Sequence, residues 1–170
     1  MRKLILPFLM GILLLTVQTT VLLALPIHRI RPDLMLILTL WLVFSYPPFF
    51  GGTLVFVLAF FLDVFSGNSF GLYTFSRMLL FYVLRHFKDH FYLEGIVSQF
   101  FLTFVSALIE GLFLTVLLVI LNPHPLRTFY GTWTTVLLPQ SVFTGLISPL
   151  FFSLFDKGAA HMLHDKEVPI

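Results

Sequence analysis

From Gly95 to Leu121 the chain carries a single charged residue, Glu110, in an otherwise almost wholly uncharged run. A stretch of that length with so little charge matches a bilayer crossing, which needs about 20 predominantly apolar residues. The rest of the chain repeats the pattern: of 170 residues, 58% are hydrophobic and 11% are charged. A soluble domain carries about a quarter charged residues because its surface must be wetted. The expected fold is therefore all-α, a polytopic membrane helix bundle of about six transmembrane helices, in one integral membrane domain over residues 1–170.

Proline, glycine and charge divide the chain into spans at about 4–25, 33–46, 49–65, 70–84, 95–121 and 136–155. Arg2 and Lys3 resemble the start of a secretory signal. The apolar run to Leu25 exceeds the ~7–15 residues of a signal core, so a retained first span is expected. The second span, between Pro32 and Pro47-Pro48, would reach only about 21 Å at 1.5 Å per residue. Against a hydrocarbon core of ~30 Å it must extend into its flanks, sit submerged among other helices, or thin the bilayer. Basic residues favour one side: Arg2, Lys3, Arg85, Lys88, Lys157 and Lys166 against Arg29, Arg31 and Arg127. That asymmetry predicts a multi-pass membrane protein with both termini in the cytoplasm. Basic residues scattered through connections are topology signals, and no nucleic-acid partner is expected.

Ionisable residues inside apolar spans are costly and call for partners. Asp63, Arg77 and Glu110 are the three here. Arg77 and Glu110 lie near the middles of the fourth and fifth spans, so matched depth predicts that they pair. Arg77 with Asp63 is the alternative, Asp63 lying nearer the outer surface. Gln99, Thr103, Ser106 and Glu110 fall on one helix face. That face turns from lipid toward either an interhelical hydrogen-bonded contact or a transport path. Ser141, Gly145 and Ser148 share a face of the sixth span, where Pro139 and Pro149 suggest kinks.

The absence of cysteine excludes thiol catalysis, disulfides and cysteine-ligated metals. There is no His-Glu-x-x-His, no Gly-x-Ser-x-Gly and no phosphate-binding glycine loop. His86 and His90 have a zinc-compatible spacing, but Arg85 and Lys88 are interleaved. They read as a solvated connection, and His161 and His164 as a solvated tail. No catalytic residue, cofactor or metal site is expected.

One segment joins two apolar runs through a polar turn: Leu62-Asp63-Val64-Phe65-Ser66-Gly67-Asn68-Ser69-Phe70-Gly71. Asp63 is placed to accept hydrogen bonds from the Ser66 hydroxyl or nearby amides, tying the third span to the fourth. Gly67 and Gly71 would allow a tight turn and close helix approach. The motif serves either the fold or a partner surface.

In order, Arg31-Pro32-Asp33-Leu34, Gly51-Gly52, Asp63-x-x-Ser66-Gly67 with Phe70-Gly71-Leu72, Leu138-Pro139-Gln140-Ser141 and Ser148-Pro149-Leu150 resemble the rod-shape-determining MreD family. The resemblance covers nearly the whole chain. It implies a bacterial inner-membrane scaffold of the cell-elongation complex, without catalysis of its own. Direct binding of MreC is implied, with MreB, RodA and a class B penicillin-binding protein in the same complex. It also implies a fold like the S components of energy-coupling-factor transporters. From that comes the alternative function, a substrate-binding membrane subunit of a small-molecule, vitamin-type transporter. Arg77 and Glu110 are not signatures of the resemblance.

Overall fold

The computed structural model describes residues 2–21, 32–66, 71–88, 95–121 and 133–164. They form six helices and, among them, no strand. These are α1 (Arg2–Thr16, continued by a π-helical turn Val17–Val21), α2 (Leu34–Ser45), α3 (Pro48–Ser66), α4 (Leu72–His86), α5 (Ile96–Leu121) and α6 (Leu138–His164, entered through a π-helical turn Trp133–Leu137). Among the described residues three stretches are long and apolar enough to cross a membrane: Pro48–Phe65, Ile96–Ile120 and Thr135–Ala160. Ile5–Thr20 and Leu34–Ser45 are shorter apolar helices.

The organising element is α2. Its residues are apolar all round, and such a helix belongs inside a bundle. Every side chain from Leu34 to Val43 is buried, and α2 packs against all five other helices. Of the three ways a short span can be accommodated, the chain uses submersion among neighbours. Both ends of α2 are closed by polar groups. Asp33 caps the start, its Oδ1 accepting the Leu36 N–H at 2.9 Å, which satisfies a donor that the helix leaves orphaned. At the other end Tyr46 is extended and Pro47-Pro48 cannot continue the helix. There the carbonyls of Val43 and Tyr46 accept from Arg85 Nη1 at 2.6 and 2.9 Å, and that of Phe44 from Lys88 Nζ at 2.8 Å. Cations at a helix C-terminus also complement its dipole.

These links fix direction. Asp33 lies with Arg77 and Tyr46 with Arg85, so α2 and α4 run the same way. Thr144 bonds Asp33 and Asp156 bonds Trp41, so α6 runs with them. Contacts of Gln18 with Met35, and of Asp63 with Tyr73, set α1 and α3 antiparallel to that group. Helix α5 opposes α6, since Gly111 faces Leu137 and Gly145 faces Phe100. A Cβ on Gly145 would stand 3.0 Å from the Phe100 ring and 3.2 Å from its carbonyl oxygen. The α5–α6 contact therefore depends on that missing side chain. On the outer faces Phe60, Phe75, Phe101, Ile109, Leu146 and Leu150 are exposed, an apolar surface suited to lipid.

Two helices run past their expected C-terminal ends by two residues or more. Helix α4 continues two residues beyond the expected end, to His86. Helix α6 runs to His164 rather than Phe155. Ala159 and Ala160 favour its continuation, Gly158 costs it about 1 kcal/mol relative to alanine, and Gly158 lies against Met10 of α1. His161 and His164 are thus helical positions.

Candidate functional site

Asp33, Arg77 and Glu110 come from three different helices and meet inside the bundle. Arg77 is on the inner face of α4 and is 1% exposed. Its Nη2 donates to Asp33 Oδ2. Its Nε stands 2.5 Å from Glu110 Oε1, but the N–H is not aligned for a hydrogen bond, so that contact is one of charge. Asp33 is held independently as the α2 cap, and its own N–H donates to Thr144 Oγ1 at 3.0 Å. The Arg77–Glu110 contact expected from depth is present, and Asp33 makes it a triad. Sequence reading marked Pro32 and Asp33, at the start of the second span, as structural or partner-interaction candidates, but did not pair Asp33 with Arg77. The missed signal is the Pro32-Asp33 pair before an apolar run, a helix-start pattern that puts a carboxylate beside the bundle interior.

Asp63 does not pair with Arg77. It is 2% exposed and caps α4 from outside: Oδ1 accepts the Tyr73 N–H at 2.9 Å, and Oδ2 accepts the Thr74 N–H at 2.8 Å and its hydroxyl at 2.5 Å. The N-cap position of α4 is Gly71, which has no side chain to do this. Gly71 adopts φ +92°, the left-handed region, which glycine enters without steric cost. A Cβ there would meet nothing within 4 Å, so Gly71 serves backbone conformation and not the close helix approach expected of it. Ser66 ends α3; its side chain, and Gly67, lie outside the described residues.

Above the triad, at the end of the bundle where α2 and α4 begin, lies a cavity of about 590 Å³. Asp33 and Glu110 line it with Gln18, Gln140, Ser141 and Thr144, and Leu36, Leu62, Phe65 and Leu114 supply apolar wall. Of the polar stripe on α5, Glu110 reaches the cavity. Thr103 and Ser106 are buried, and their hydroxyls find no protein partner; nor does that of Ser76 beside Arg77. At the other end of the stripe the Ser148 hydroxyl of α6 bonds the Gln99 backbone carbonyl at 3.3 Å. Pro139 lies in the first turn of α6 beside the cavity residue Gln140, and Pro149 follows Ser148 inside the helix. Gln18, Gln140 and Thr144 were missed in the sequence; the available signal was amides and a hydroxyl inside apolar spans.

His86 is exposed at the end of α4, and His90 lies outside the described residues. Among the described residues no group of three or more His, Asp or Glu is arranged to hold a metal. Chemically the site offers buried, opposed charges and a cavity bordered by carboxylates. No protein-family model, no characterised protein and no solved structure matches this chain.

Proposed function

We propose that the chain is an MreD-type scaffold of the bacterial cell-elongation machinery. In this reading it crosses the inner membrane six times with both termini in the cytoplasm, in an arrangement like that of the S components. It binds MreC directly and supports side-wall peptidoglycan synthesis beside MreB, RodA and a class B penicillin-binding protein. It performs no catalysis. The observation that carries the reading is where the motif residues fall. Asp33, from the Arg-Pro-Asp-Leu segment, caps α2 and holds Arg77, while Asp63 and Gly71, from the second motif, together start α4. Two of the motif segments thus meet α4, one at Arg77 and the other at its first amides, which supports the reading. Depleting the protein from the rod-shaped bacterium that carries it tests the function. Loss of rod shape, with cells widening and rounding, is expected; unchanged rods after verified depletion would contradict it.

A further inference from the structure

The 590 Å³ cavity is within the roughly 300–1,000 Å³ range of small-molecule sites. Most of its polar groups present acceptors, beside the amides of Gln18 and Gln140; the Gln18 carbonyl oxygen is taken by the Met35 N–H. The Thr19, Ser141 and Thr144 hydroxyls each donate to a carbonyl of their own helix, at 2.8, 2.7 and 2.8 Å. With the donor spent, each hydroxyl offers the cavity only lone pairs. Asp33 and Glu110 add carboxylate oxygens, which when ionised are acceptors and not donors. Two carboxylates share one guanidinium, that of Arg77, so the cluster carries one more acid than base. Glu110 Oε1 is buried beside Arg77 Nε, and Glu110 also borders the cavity. Around this acceptor-rich floor stand Leu36, Leu62, Phe65 and Leu114.

We propose that the cavity binds a small organic cation, a primary amine on an apolar body, with its ammonium at Glu110 and Asp33 and its body against the leucines and Phe65. An ammonium supplies three donors and no acceptor, which complements this lining, and its charge offsets the surplus carboxylate. An anion would meet carboxylates with no free cation beside them. The site does not depend on the scaffold reading: an amine can bind whether or not MreC does.

The test is calorimetric titration of the full chain in dodecylmaltoside, corrected against empty micelles. The probes are benzylamine, 2-phenylethylamine and tryptamine, each beside its alcohol isostere. At least one amine is expected to bind saturably at one site. Its alcohol should bind about ten- to a hundredfold more weakly, the span expected for one charge-assisted hydrogen bond. Glu110→Gln should erase the preference for amine over alcohol. Ala107→Phe, which fills the cavity from α5 and leaves all three charged residues of the triad in place, should abolish binding and retain the wild-type elution volume. Three results would overturn the proposal: alcohol bound as tightly as amine, saturable amine binding that survives Ala107→Phe, or no binding across the series. If Glu110→Gln fails to fold, the amine–alcohol comparison and Ala107→Phe still decide it.

Discussion

Replacing Arg77 by methionine keeps most of the side-chain volume and removes the charge that two carboxylates share. The consequence depends on what those carboxylates retain. Asp33 keeps the Leu36 N–H and is 15% exposed, so it remains partly satisfied. Glu110 is 4% exposed, and its Oε1 has no hydrogen bond to fall back on. Stranding one partner of a buried pair costs about 3–5 kcal/mol, whereas an exposed pair is worth about 0–1 kcal/mol. Arg77→Met should therefore lose about 3–5 kcal/mol, most of it at Glu110. Adding Glu110→Gln removes the stranded charge, so the double variant should be more stable than Arg77→Met alone, within about 1–2 kcal/mol of wild type. Exchanging the two charges should not restore stability, because a carboxylate at position 77 would face Asp33. A two-residue pair would have recovered on exchange; the triad does not. Reversible unfolding in mixed dodecylmaltoside–SDS micelles, followed by circular dichroism, measures all four proteins. Arg77→Met within about 1 kcal/mol of wild type, or a double variant less stable than the single, would refute the reasoning.

Three further outcomes follow from the same geometry. Asp63→Asn replaces two acceptor oxygens by one and should cost about 1–2 kcal/mol; faster amide exchange at Tyr73 and Thr74 than elsewhere in α4 would locate the loss. Gly71→Ala should cost about 1–2 kcal/mol through backbone strain alone, since its Cβ has free space; Gly71→Asn should be milder, and equal unfolding midpoints for glycine and alanine would contradict this. The chain has no cysteine, so single cysteines report topology directly. Cysteine at Gln140 should react with an impermeant maleimide in osmotically opened spheroplasts from the outer side, and cysteine at Lys157 only after lysis; the reverse pattern would invert the proposed orientation.

Much of the helical order was legible because it rests on local signals. Pro47-Pro48 stops α2 whatever surrounds it, and the depth of Arg77 and Glu110 can be counted along their own helices. What was not legible depends on packing between distant segments. Asp33 and Arg77 are 44 positions apart, and their contact exists only because α2 is drawn inside the bundle beside α4. Asp63 was placed near amides, but which amides it caps depends on how α3 meets the start of α4. Helix α6 outlasts its apolar pattern because Gly158 and Ala159 find α1 and the core to pack against. The cavity has no sequence signature, since Gln18, Gln140 and Glu110 come from three helices and acquire a common purpose only in the assembled bundle.

The scaffold account stands or falls on a direct complex with MreC. The decisive measurement is co-purification of the full chain with MreC from the same bacterium, in mild detergent, through size exclusion. The account predicts co-elution at a constant ratio across the peak. A monodisperse, folded chain that elutes apart from equally intact MreC would contradict it.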